Sequence, residues 1–226
     1  ASTTGAIAGF GGGVIIKPVL DLFGLLPVAT VSFLSGCTVL SMSVCSLIRT
    51  RKSPVKLDFR TSIPLAIGAA GGGLLGKWLF EVVRTGFDNQ NILGAVQSVC
   101  LTVITIFVFI YICQKDKLPS FHVQTLPVTL AIGVALGIVS SFLGIGGGTS
   151  NVAILFFFFS MDAKTAAKNS IYIILFSQIT SILAATFGGT VPSFSWAVLV
   201  LMAAGGVGGA LVGAAISKRL NARHVE

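Results

Sequence analysis

Five continuous apolar runs, at residues 28–48, 61–83, 91–113, 165–187 and 194–217, constrain this chain more than any other feature. Each has the length, about 20 residues, at which a helix rising ~1.5 Å per residue crosses a hydrocarbon core of about 30 Å. In lipid a single helix satisfies its own backbone polar groups, so the runs are predicted to be transmembrane helices. Only 10% of the residues are charged and the mean hydropathy is +0.96, whereas a water-soluble domain carries about 25% charged residues. The sequence therefore predicts an all-α integral membrane protein, multi-pass in the plasma or inner membrane, with the lipid bilayer as a partner. The net charge of +8 does not point to nucleic acid, because Lys and Arg are scattered through short loops rather than gathered on one solvated face.

Residues 126–161 do not fit the simple pattern, being too long for one span and too short for two with a turn. Their centre, Gly144-Ile-Gly-Gly-Gly148, is a poor place for continuous helix, since each glycine costs about 1 kcal/mol relative to alanine. The expected structure is a re-entrant hairpin whose first limb breaks at the glycines near mid-membrane, and whose second limb returns to the same side from about Thr149. Gly9, Gly11, Gly12 and Gly13 repeat the pattern of Gly144, Gly146, Gly147 and Gly148 at an offset of 135 residues. Gly68, Gly72 and Gly76 match Gly205, Gly209 and Gly213 at 137, each set stepping along one helix face as a small-residue packing surface.

Two registers this close indicate an internal duplication, an architecture common among secondary transporters. The first repeat is assigned to residues 1–113, a cytoplasmic linker to 114–125 and the second repeat to 126–226. Each repeat is then a Gly-tipped re-entrant hairpin plus three transmembrane helices. Measured against each other, the first limb of the first hairpin and the last helix of the second repeat are expected to be incomplete in this chain. Positive charges support this topology. If the glycine stretches are re-entrant, residues 49–60, 114–125, 161–168 and the tail from 217 face one side and hold 12 of the 15 Lys and Arg. That side is read as cytoplasmic. An odd number of spans per repeat makes the two repeats inverted.

The motifs Gly9-Phe-Gly-Gly-Gly13, continuing to Lys17 and Pro18, and Leu143-Gly-Ile-Gly-Gly-Gly148 resemble the TauE/SafE family of sulfite and sulfonate transporters. Each is followed by an apolar run and a small or polar cluster, at residues 29–33 and 167–171, and the likeness covers nearly the whole chain. It implies movement of a sulfur-containing anion such as sulfite, thiosulfate, sulfoacetate or another organosulfonate. The second half departs from the first at Ala153, where the first has Pro18.

An anion site follows from helix chemistry as well. A second limb that starts at a glycine tip points its unpaired N–H groups and about half a positive charge toward the membrane centre, and glycine lets backbone approach a ligand. Gly11, Gly12, Gly13, Gly146, Gly147 and Gly148 are the expected substrate-binding donors. Thr149, Ser150 and Asn151 fit two roles, capping the second limb or facing substrate. Asn169, Ser170 and Gln178 bring polar groups into the next span, where they either bind the anion or join helices. Lys17 either attracts the anion or snorkels to the interface.

No catalytic or metal cluster assembles from the histidines and acids, and the four cysteines match no ligand spacing, so neither enzyme activity nor a cofactor is expected. The leading function is a secondary transporter of a small sulfur anion working by alternating access, with any proton coupling carried by the substrate. The alternative is a passive anion channel, which needs a continuous water-filled pore.

Overall fold

The computed structural model describes residues 26–50, 59–86, 90–114, 122–123 and 125–217. These form the helices α1 (Val28–Thr50), α2 (Phe59–Gly86), α3 (Gln90–Gln114), α4 (Leu126–Leu143), α5 (Gly148–Phe159), α6 (Ala163–Phe187) and α7 (Trp196–Ser217). Among the described residues, the segments long and apolar enough to cross a membrane are Val28–Arg49, Arg60–Gly86, Ile92–Gln114, Leu126–Leu143 and Lys164–Phe187, whereas the span expected at 194–217 is present as a shorter apolar helical segment, Trp196–Val212. The helices run to within three residues of the predicted span ends, because charged or glycine-rich loops stop each apolar run. The glycine motif at residues 9–13 and Lys17 lie outside the described residues.

Contacts between helices fix their directions. Gly68, Gly72 and Gly76 of α2 meet Leu130, Val134 and Ile138 of α4 in ascending order, and Ser62 and Gly73 meet Asn169 and Ser177 of α6, so α2, α4 and α6 run parallel. In α1, Ser32 meets Gly144 and Gly36 meets Gln178, while Val39 packs near Ile174 about Gly146, the opposite sense. α7 follows α1, through Thr30 on Ser193 and Arg49 on Leu211. α4 and α5 form a helical hairpin whose far ends meet: the Val123 N–H donates to the Phe158 carbonyl at 2.9 Å.

The α2–α4 contact is close because both faces lack side chains. A Cβ on Gly72 would strike the Val134 carbonyl, and one on Gly137 would strike that of Ala69. Small residues that admit a neighbouring backbone are the main device for packing helices in lipid, where no hydrophobic force draws them together. Around this seam, Leu65, Ala69, Leu136, Leu155, Ala166 and Ile173 form a core shared by α2, α4, α5 and α6.

The second glycine series differs from expectation. Gly205 is exposed with nothing within 4 Å, and the α7 contact with α1 falls one residue later, where a Cβ on Gly206 would lie 2.8 Å from Thr38. The buried line of α7 passes through Gly206 and Ala210, so the contact expected at Gly205 is made one position later.

Candidate functional site: the glycine tip and its recess

The turn between α4 and α5 is built from glycines because its backbone demands them. Gly144, Gly146 and Gly147 have φ of 65°, 78° and 69°, a left-handed conformation that side chains disfavour. Helix α1 and helix α6 clamp this turn. A Cβ on Gly146 would lie 2.6 Å from Val39 and 3.2 Å from Ile174. Val39 is eleven residues from either end of α1, and Ile174 is eleven from the start and thirteen from the end of α6. Gly146 thus sits at half the height of the helices that hold it, while Gly144, against Ser32, lies four residues from the start of α1.

Both helix ends at this tip carry unpaired backbone groups. On the α4 side they are met by two side-chain amides and one backbone amide: Gln97 Nε2 donates to the Phe142 carbonyl at 2.6 Å, Gln178 Nε2 to the Ser140 carbonyl at 3.3 Å, and the Gly144 backbone N–H to the Ser141 carbonyl. On the α5 side the position is different. Gly147 is the N-cap and offers no side chain. Ser150 Oγ donates back to the Gly147 carbonyl at 2.6 Å, and the Asn151 N–H makes its bond to that same carbonyl at 3.0 Å. The N–H groups of the first α5 turn before Asn151 belong to the set that no intrahelical carbonyl reaches.

Asn151 is fully buried, with neither Oδ1 nor Nδ2 hydrogen-bonded, and its amide lies against the Gly147 backbone. Ser170, one turn before Ile174, and Ser43, one turn after Val39, are also fully buried with unbonded hydroxyls, as is Ser35. Hydroxyls in these helices commonly return to their own backbone, as Thr38 does to the Leu34 carbonyl. A buried polar group left unpaired costs about 1–3 kcal/mol, and of these side chains Asn151 is the one that lies against the glycine turn itself.

Of the residues for which capping and substrate contact are both open, Ser150 turns its hydroxyl to the Gly147 carbonyl and the Asn151 side chain makes no hydrogen bond. Asn169 is engaged between helices, accepting from Ser62 Oγ at 2.5 Å and donating to the Thr165 carbonyl at 3.1 Å. Gln178 braces the end of α4 and also lines a recess on the Gly144 side of the tip. This recess has an empty volume of about 370 Å³, mouth included, and its wall includes Ser32, Lys77, Ser141, Gly144 and Ser181. Two of the groups that shape the tip, Gln97 and Lys77, were not singled out by sequence. Both lie on helices with apolar surroundings on every side, and only the rotation of the helix reveals where they point.

A profile of the family described as sulfite exporter TauE/SafE matches residues 1–226. The chain belongs to the TauE/SafE family. It is similar to the probable membrane transporter protein YunE of Bacillus subtilis (strain 168), with 23% identity over 252 aligned positions covering 100% of this chain and 88% of that protein. It is also similar to a probable membrane transporter protein of Haemophilus influenzae, 27% identical over 149 positions, 64% of this chain and 53% of the relative. No solved structure matches the chain. This TauE/SafE protein is thus a multi-pass protein of the cell membrane and a membrane transporter by family.

Proposed function

We propose that this TauE/SafE protein is a secondary transporter of a small sulfur-containing anion, sulfite, thiosulfate, sulfoacetate or another organosulfonate, working by alternating access around a site at its glycine tips. The observation that carries the reading is Asn151, fully buried beside Gly147 with both amide atoms unpaired. An oxyanion at the start of α5 accepts from Asn151 Nδ2, from the Ser170 hydroxyl and from the free amides of Gly148 to Ser150, at the positive end of the helix dipole. Gly146 and Gly147 keep side chains out of its way, while Thr149 stands in that first turn. Gly11, Gly12, Gly13 and Lys17 of the first repeat form the opposing half of the site in this reading.

The topology proposed is two inverted repeats with re-entrant hairpins. The chain enters α4 and leaves α5 at the same end of the bundle, as a re-entrant hairpin requires. The four segments holding 12 of the 15 Lys and Arg adjoin that same end, which by the positive-inside rule is cytoplasmic. In purified protein reconstituted into liposomes, flux of the sulfur anion is expected to saturate and to be accelerated by the same anion on the far side. Flux that rises linearly with concentration and ignores anion on the far side would indicate a channel, and impermeability to the whole panel would overturn the anion reading.

A further inference from the structure

The recess on the Gly144 side of the tip holds a charged group that no part of the tip itself requires. Lys77 is nine residues before the end of α2, about 13 Å along the axis at ~1.5 Å per residue, and its side chain is 14% exposed. A cation at this depth is costly and is retained where it faces a cavity or a partner. Lys77 has both. It lines the recess with Ser141, Gly144, Gln178 and Ser181, and its Nζ lies 2.6 Å from Glu81 Oε1 and 4.8 Å from the centre of the Phe80 ring.

The pairing is unbalanced. Glu81 accepts from Lys77 on one carboxylate oxygen and from Arg84 Nη1 on the other, at 3.0 Å. One carboxylate thus serves two cations, so the cluster carries one surplus positive charge, and of its three members Lys77 is the one that lines the recess. A pair built only to neutralise Lys77 needs no second cation and no recess. All three charges lie on one helix at steps of four and three residues, so Lys77 can leave Glu81 by side-chain rotation while Arg84 still holds the carboxylate.

We infer that Lys77 is an anion-binding residue at the Gly144 side of the tip, and that the Glu81 carboxylate occupies its ammonium group when no substrate is present. The ligand is the same sulfur oxyanion as under Proposed function, on which this inference rests. An arriving oxyanion takes the place of the Glu81 carboxylate on Lys77, with Ser181 and the Gln178 amide at the same recess, before it reaches Asn151 and the α5 amides. The Lys77 ammonium group exchanges the Glu81 carboxylate for an oxyanion of like charge, so it is never left bare.

The test uses the full chain in liposomes with sulfite, thiosulfate and sulfoacetate. Lys77→Gln is expected to raise the half-saturating concentration about tenfold or more, the consequence of removing a hydrogen bond between charged groups. Lys77→Arg keeps the charge and restores most of the affinity, and Glu81→Gln removes the competitor and lowers the half-saturating concentration. In the wild type, the transported anion slows acylation of the Lys77 amine, a readout that does not depend on any variant folding. Wild-type transport with unchanged half-saturation in Lys77→Gln, or acylation indifferent to anion, overturns the inference and leaves the proposed function standing. Absence of wild-type transport and of protection by all three anions overturns both.

Discussion

Replacing Asn151 with leucine separates what this side chain does for the fold from what it does for a ligand. Leucine has the same branching at Cγ, so two methyl groups take the positions of Oδ1 and Nδ2 against the Gly147 backbone. Both polar atoms are buried and unpaired in the ligand-free protein, and each such group costs about 1–3 kcal/mol. Removing them while keeping the shape is expected to stabilise the protein by about 1–3 kcal/mol in total, since the added methyl volume takes back part of the gain. For a chain of this size that raises the melting temperature by about 2–4 °C per kcal/mol. Transport is expected to be lost in the same variant, because the amide donor is gone and an apolar methyl group faces the anion where Nδ2 stood. Stability at the expense of activity is the usual signature of a site residue. Thermal unfolding of purified Asn151→Leu, beside its flux in liposomes, reads both quantities. A lower melting temperature with normal flux would show that Asn151 is a structural residue and that its amide finds partners within the fold.

Gly72→Ala puts a methyl group onto the Val134 carbonyl and is expected to cost about 1–3 kcal/mol, read as a lowered yield of folded protein with unchanged half-saturation. Gln97→Ala leaves the Phe142 carbonyl without its amide and costs about 1–3 kcal/mol, seen as a lowered melting temperature. Asp162 caps α6 by accepting from the Lys164 and Thr165 amides, and a hydrogen bond with the Thr165 side chain, aided by those amides, holds its carboxyl below the ordinary carboxylate value. Asp162→Ala therefore costs about 1 kcal/mol at neutral pH; because the folded pKa is the lower one, the difference from wild type is full above the ordinary carboxylate range and narrows as pH falls through it.

Helix positions were legible in the sequence because length and apolarity alone mark a span, and the glycine break was legible because Gly144–Gly148 cannot continue a helix cheaply. Rotation was not. A helix that is apolar on every face carries little record of which face meets protein, which is why Gly205 was taken for a contact that Gly206 makes, and why Lys77 and Gln97 went unnoticed. Asn169 and Gln178 illustrate the same point: an amide inside a span announces that it needs a partner, but Ser62, Thr165 and Ser140 were identifiable only once the helices were packed. Asn151 was legible as a residue of interest from its place after the tip. That both its amide atoms stand buried and unpaired is visible only once the helices are packed.

Selenite has the charge and pyramidal shape of sulfite, and its selenium scatters anomalously. A crystal structure of this protein grown with selenite locates the bound anion directly. The anomalous peak is expected at the start of α5, where the oxygens bonded to the selenium come within hydrogen-bonding distance of Asn151 Nδ2 and the amides of Gly148 to Ser150. A peak confined to the basic loops, or none at the tip under conditions where the protein transports the anion, would contradict the assignment of the glycine tip as the substrate site.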